Sequence, residues 1–99
     1  MAHLEVDVVA ADRRVWRGTA AMVSAPAADG DIGILPGHTP LLAVLRAGDV
    51  RIQTADGSTR TVQVDEGFLS VDDDQVTVVV HAAKESGGTS GDAGRARGR

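Results

Sequence analysis

The residues most suited to chemistry in this 99-residue sequence are Asp31 and His38, which lie in a stretch rich in glycine and proline. From residue 30 to residue 42 the stretch reads GDIGILPGHTPLL. Its prolines restrict the backbone and its glycines permit positive φ, so it predicts a tightly bent β segment and not a helix. Such a rigid segment can present the carboxylate of Asp31 to a partner at a low ordering cost. The same pattern fits a purely structural corner, with a solvated aspartate and a hydrogen-bonded histidine.

The other polar residues do not form a recognisable catalytic or metal site. The three aspartates at 72–74 fit no calcium-loop pattern, so a solvated acidic turn is predicted there. His3 and His81 share no metal-ligand spacing with His38, and the chain has no cysteine. No serine lies in a nucleophile motif, and the glycines lack the partners of a phosphate loop. The sequence therefore predicts no catalytic residue, no metal and no cofactor. A small-molecule-binding β domain or enzyme, which would need a buried polar pocket, stays as an alternative.

Composition favours a small acidic domain with an aliphatic core. Trp16 and Phe68 are the only aromatic residues. The formal charge of −4 divides into −6 for residues 1–83 and +2 for residues 84–99. An acidic body without aromatic residues for stacking argues against nucleic-acid binding. No apolar run approaches the ~20 residues of a membrane span, and no leader is evident, so we expect a cytosolic or peripheral protein.

Alternating apolar and polar residues predict a series of short strands from His3 to Ala82. Asp56 and Gly57 stand between two alternating runs, which predicts a hairpin because both residues tolerate positive φ. Many short strands of this kind predict an all-β fold, an antiparallel β-sandwich or flattened barrel formed by residues 1–83. Residues 84–99 are rich in glycine and arginine and contain no large apolar residue, so they are predicted to form a disordered C-terminal tail.

The run from residue 30 to residue 42 resembles the signature of the epsilon subunit of bacterial F-type ATP synthases. The resemblance includes LEVDVV at 4–9, DVRI at 49–52 and EGFLSV at 66–71. The segment DRRVW at 12–16 is similar to actinobacterial members in particular. The family implies a ten-stranded β-sandwich. It also implies a noncatalytic subunit of the central stalk, which binds the gamma subunit and the c-subunit ring and couples proton flow to ATP synthesis.

The resemblance also implies which residues meet these partners. The acidic position that faces the polar loops of the ring falls on Asp31, and the neighbouring segment lies near the gamma and ring contacts. The implied partner-binding residues are Asp31, His38, Thr39, Pro40, Leu41 and Leu42. An exposed ion pair contributes only ~0–1 kcal/mol, so an apolar surface of the sandwich is expected to carry most of the affinity for gamma.

The C-terminal residues 84–99 depart from the family pattern. The family usually continues into a two-helix hairpin, which can inhibit ATP hydrolysis and in some members binds ATP. Only residues 92–96 resemble the start of that region, so we expect neither nucleotide binding nor inhibition by an extended helix. The resemblance implies a peripheral location at the cytoplasmic face of the bacterial membrane. A free-standing β-sandwich adaptor that has kept only the fold is the alternative.

Overall fold

A computed structural model of the chain describes residues 2–86, which form β-strands joined by turns and loops and contain no helix. The nine strands of this part are β1 (Leu4–Ala10), β2 (Arg13–Ala27), β3 (Gly30–Ile34), β4 (Leu41–Leu45), β5 (Gly48–Thr54), β6 (Thr59–Val64), β7 (Gly67–Asp72), β8 (Gln75–Val80) and β9 (Ala83–Ser86). The predicted all-β class is confirmed, with nine strands where the family implied ten. Within these residues, no helix long and apolar enough to span a membrane is found.

The strands belong to one hydrogen-bonded sheet that closes on itself. Its order is β1-β8-β7-β4-β2-β5-β6-β9, and β3 pairs with β2 beside this path. Strand β1 pairs with β2 as well as with β8, so β1, β8, β7, β4 and β2 form a closed circuit. The 15-residue β2 makes this closure possible because its first half pairs with β1, whereas its last residue, Ala27, pairs with Leu45 of β4. This closed sheet confirms the flattened barrel.

One strand pair differs from the predicted antiparallel arrangement. Strands β1 and β8 run parallel, with Val6 opposite Val76 and Val8 opposite Val78. Neighbouring strands joined by a tight turn must be antiparallel, but β1 and β8 lie far apart in sequence. No local turn signal therefore constrains their direction.

The interior is filled by aliphatic side chains. The largest of those that are fully buried include Leu4, Ile34, Leu45, Ile52 and Leu69, and valines supply most of the rest. In the described part of the chain no polar or charged residue is buried. Valine suits this core because its branched Cβ packs well on a pleated sheet.

Strand β9 crosses the boundary that was predicted at residue 83. It pairs with β6 from Thr61 to Val64, and Arg13 donates a hydrogen bond to the Ala83 carbonyl at 3.0 Å. Arg60 forms an ion pair with Glu85 at 3.1 Å. Residues 84–86 therefore belong to the sheet, because β6 offers them a backbone edge that periodicity does not reveal. The remainder of the predicted tail, residues 87–99, lies outside the described residues.

The predicted β5–β6 hairpin is confirmed. Gly57 has a φ of 95°, whereas Asp56 does not take a positive φ. The Gly57 amide donates to the Thr54 carbonyl at 3.0 Å, and the Thr54 amide donates to the Ser58 carbonyl at 2.8 Å. This is a three-residue loop, with the single left-handed position occupied by glycine.

Asp56 stabilises this hairpin through its own hydrogen bonds. Its Oδ1 accepts from the Thr54 hydroxyl, from the Ser58 hydroxyl at 2.7 Å and from the Ser58 amide at 3.1 Å. These bonds, with the Thr54 bond the largest cause, lower the pKa of the Asp56 carboxyl to about 2. The ionised form is therefore favoured in the folded hairpin.

We expect Asp56→Ala to lower the Tm at pH 7, and the difference from wild type to shrink under acidic conditions. Because the folded-state pKa lies below the unfolded value of 3.8, the contribution of the charge to stability is present above pH 3.8. It is lost as the pH falls through about 2. Thermal unfolding followed by circular dichroism between pH 7 and pH ~1.5 measures this. Asp12→Ala, at an exposed turn, is the control, and a Tm difference independent of pH would contradict the assignment.

Candidate functional site

The stretch from residue 30 to residue 42 comprises β3, a loop of residues 35–40 and the start of β4. Strand β3 pairs with β2, whereas β4 pairs along its length with β7. The loop therefore connects two different parts of the sheet. Its bend is a tight turn in which Gly37 has a φ of 87° and the His38 amide donates to the Leu35 carbonyl at 3.1 Å. Proline followed by glycine is the preferred pair for such a turn, and the predicted bent β segment is confirmed.

Asp31 lies on β3 and forms an ion pair that the sequence did not reveal. Arg46 donates to the Asp31 carboxylate at 3.2 Å and, through Nε, to the Ala27 carbonyl at 3.1 Å. The Asp31 side chain is 79% exposed and that of Arg46 55% exposed. The Arg46 amide also donates to the Pro26 carbonyl at 2.9 Å. The end of β2 thus fixes Arg46, and Arg46 in turn fixes the carboxylate at the surface.

His38, Thr39 and Pro40 lie at the opposite end of β4 from Arg46. His38 is half-buried, and its Nδ1 lies 2.6 Å from the Thr39 carbonyl, whereas Thr39 and Pro40 are exposed. The structure therefore divides the predicted site into two parts. Asp31 and Arg46 form one part, and the loop of residues 35–40 forms the other.

The loop is tied to the β7–β8 turn by a side chain of that turn. The Gly37 amide donates to Oδ1 of Asp74 at 2.7 Å. Asp73 and Asp74 occupy the turn with φ values of 52° and 62°, as in a two-residue hairpin turn of type I′. The predicted acidic turn is confirmed.

The two leucines of the predicted site point to opposite faces of β4. Leu41 packs against the core, whereas Leu42 is 72% exposed. This alternation follows from the two-residue period of a strand. Only Leu42 is therefore available to a partner in the folded domain.

Leu42 belongs to an exposed apolar face that crosses four neighbouring strands. Val44 lies opposite Phe68, Phe68 opposite Val79, and Val79 opposite Val9. Val44, Phe68 and Val79 are each about half exposed, and Val9 is half-buried. We define the outer apolar face as Leu42, Val44, Phe68, Val79 and Val9. In the sequence this face is indicated by the run Val78-Val79-Val80, because a strand with one face in water is expected to alternate apolar and polar residues.

The described residues offer little for catalysis or metal binding. Nowhere in residues 2–86 do three or more histidine, aspartate or glutamate side chains come together as a possible metal site. The only shifted pKa that is resolved there belongs to Asp56, whose cause is the hairpin itself. The described surface thus has an apolar part, the outer apolar face, and a charged part, the ion pair of Asp31 with Arg46.

Comparison with known proteins identifies the family. The family described as ATP synthase, Delta/Epsilon chain, beta-sandwich domain matches residues 3–86. The ATP synthase epsilon chain of Micrococcus luteus is 50% identical over 84 residues, which cover 85% of this chain and 92% of that protein. The epsilon chain of Streptomyces avermitilis is 47% identical over 83 residues, covering 84% of this chain and 67% of that one.

Solved structures show the same fold. A chain of the Euglena gracilis mitochondrial ATP synthase matches with a TM-score of 0.81 at 20% identity. This match covers 86% of the present chain and 54% of the Euglena chain. A chain from the Tetrahymena thermophila mitochondrial ATP synthase matches with a TM-score of 0.68 at 16% identity, covering 82% and 65% of the two chains.

The closed sheet and the family match together define a β-sandwich domain of the kind found in ATP synthase delta and epsilon chains. The chain belongs to the ATP synthase delta/epsilon family. The resemblance to epsilon subunits found in residues 30–42 is thereby confirmed. Its function is that of an epsilon chain, a noncatalytic subunit of a membrane-associated ATP synthase.

Proposed function

We propose that this chain joins the gamma subunit to the c-subunit ring in the rotor of a proton-translocating ATP synthase and helps to couple proton flow to ATP synthesis. The outer apolar face is the observation that carries this proposal. A sheet face that meets water normally bears polar side chains, whereas here an apolar row crosses β4, β7, β8 and β1. Contiguous exposed apolar surface of this kind marks a protein interface.

We assign the outer apolar face to gamma. Permanent interfaces are more apolar than transient ones, and their energy concentrates on a few central anchors. Phe68 has that position, because Val44 and Val79 lie on either side of it in the sheet. Leu42 continues the same face along β4.

We assign the surface around Asp31 and Arg46 to the polar loops of the c ring. Both side chains are more than half exposed, so either can exchange its internal partner for a charged group on the ring. Surface charges of this kind mainly set orientation and specificity. Thr39 and Pro40 are exposed in the loop that precedes β4, at the opposite end of this strand from Arg46, and we include them in the proposed contact area.

A structural relative supports a place in the rotor. The Tetrahymena structure that shares the fold is one of a central stalk and c ring. By the same assignment, the chain lies peripherally at the cytoplasmic face of the bacterial membrane, held there through the complex. We also propose that the chain binds no nucleotide and acts through its sheet surfaces.

Binding to purified partners tests the proposed function. We expect the chain to co-purify with a gamma subunit, and to bind a gamma–c-ring subcomplex more tightly than gamma alone. A chain that binds neither would favour the alternative of a free-standing adaptor with the same fold. Measurable affinity for ATP in the isolated protein would overturn the expectation of no nucleotide binding.

The charged part of the surface is tested by Asp31→Asn. We expect this variant to bind the gamma–c-ring subcomplex up to about fivefold more weakly, the loss that corresponds to ~1 kcal/mol for one exposed pair. Affinity for gamma alone should stay unchanged, because Asp31 lies outside the outer apolar face. Titration of a labelled chain with each partner measures both values.

Asp29→Asn is the matched control for Asp31→Asn. Asp29 is exposed in the turn before β3 and carries the same charge, so its removal reports the effect of net charge alone. Equal losses in the two variants would refute a specific contact at Asp31. If Asp31→Asn weakened binding to gamma alone, the assignment of Asp31 to the c ring would be contradicted.

A further inference from the structure

Three segments that are distant in sequence meet at Asp74. Its carboxylate Oδ1 accepts a hydrogen bond from the Gly37 amide at 2.7 Å. Its backbone carbonyl accepts one from the Glu5 amide at 2.8 Å. The β7–β8 turn is thereby joined to the start of β1 and to the loop of residues 35–40.

The carboxylate of Asp74 provides the long-range polar tie of this loop. Within residues 2–86, the other hydrogen bonds of residues 35–40 are the local ones of His38 with Leu35 and Thr39. Most residues of the loop are exposed, so packing restrains them little. A hydrogen bond from an amide to an ionised carboxylate is about twice as strong as a neutral one.

The positive φ of Asp74 limits which residue types suit this position. With a φ of 62°, the position favours glycine, asparagine or aspartate over other residues. Glycine would fit the turn with less strain, but it has no side chain to reach Gly37. The aspartate therefore supplies a contact with the Gly37 amide that glycine in the same turn would not make.

We propose that Asp74 is a positioning residue that fixes the loop of residues 35–40 for partner binding. This inference rests on the proposed function, because that function assigns Thr39 and Pro40 to the contact surface. Holding an exposed loop in one conformation before binding removes an ordering cost from association. Asp74 thus raises affinity for the gamma–c-ring subcomplex by acting through Gly37.

Hydrogen exchange of the Gly37 amide, followed by NMR in the isolated chain, tests the tie directly. We expect Asp74→Gly to accelerate this exchange about tenfold, as for loss of a hydrogen bond to a charged group. In Asp74→Asn the side chain keeps an acceptor oxygen and tolerates the turn geometry. The exchange rate of the Gly37 amide should therefore lie between those of wild type and Asp74→Gly. Asp73→Gly relaxes the neighbouring turn position, which also has positive φ, and should leave Gly37 unchanged.

The same variants are then titrated with the gamma–c-ring subcomplex. We expect Asp74→Gly to weaken binding roughly threefold to tenfold, Asp74→Asn to recover most of the affinity, and Asp73→Gly to match wild type. Unchanged Gly37 exchange in Asp74→Gly would overturn the tie itself. Faster exchange with undiminished affinity would overturn the positioning role.

Failure of the proposed function gives a different result. In that case wild type does not bind the subcomplex, and the role of Asp74 in partner binding is overturned together with the function. The exchange of the Gly37 amide still decides whether Asp74 fixes the loop. The two failures are therefore distinguishable.

Discussion

Gly67→Ala is expected to lower the free energy of unfolding by about 3 kcal/mol, at the upper end of the usual cost of overpacking. Gly67 begins β7 and lies opposite Val80 of β8. A Cβ added at this position would lie 2.2 Å from the Val79 carbonyl oxygen and 2.8 Å from the Val80 Cα. Both atoms belong to the backbone of β8, so no side-chain rotation can relieve the contact. The two strands must move apart at the start of their pairing.

Gly33→Ala provides the matched control for Gly67→Ala. Gly33 is also a strand glycine, but an added Cβ there meets no atom within 4 Å, and its φ is not positive. Its free energy of unfolding should stay within about 0.5 kcal/mol of wild type. Urea unfolding of both variants measures the two values. If Gly67→Ala were as stable as Gly33→Ala, the close approach of β7 and β8 at residue 67 would be refuted.

The strands could be predicted because the alternation of buried and exposed positions along a strand is visible in the residue types of a short segment. In β1 the buried residues Leu4, Val6 and Val8 alternate with more exposed ones, and this alternation is visible without any structure. Such alternation does not predict which strands pair, as in the pairing of β1 with β8 and that of β6 with β9. Each depends on which edge lies free when the sheet closes, and no short-range pattern records that. For this reason the pairing of residues 84–86 with β6 was not predicted.

The candidate site could be predicted only where it depends on local backbone chemistry. The bend at Pro36 and Gly37 follows from the residue types themselves. The contact of Arg46 with Asp31 spans 15 positions, and that of Gly37 with Asp74 spans 37 positions. Both arise from how the sheet folds over itself, so spacing in the sequence does not report them. The partner roles of Asp31 and of residues 38–42 stay predictions.

Phe68→Glu is expected to weaken binding to gamma at least about 30-fold, which corresponds to ~2 kcal/mol for a central interface anchor. Phe68 lies between Val44 and Val79 in the apolar row. A carboxylate at this point would have to lose its hydration against an apolar partner, and burying an unpaired charge is costly. Because the Phe68 side chain is about half exposed in the isolated domain, the fold itself should tolerate the change. Calorimetric titration with purified gamma measures the loss.

Gln53→Glu separates the position of the new charge from the charge itself. Gln53 is exposed on β5, which is not among the four strands of the outer apolar face, and the substitution adds the same unit of charge. The affinity of Gln53→Glu for gamma should equal that of wild type. If Gln53→Glu and Phe68→Glu lost the same affinity, the loss would be an effect of net charge and not of position. Phe68→Leu completes the series because it keeps an apolar side chain of smaller area. It should retain most of the affinity if apolar burial stabilises the contact, and a loss as large as that of Phe68→Glu would contradict the assignment of this face to gamma.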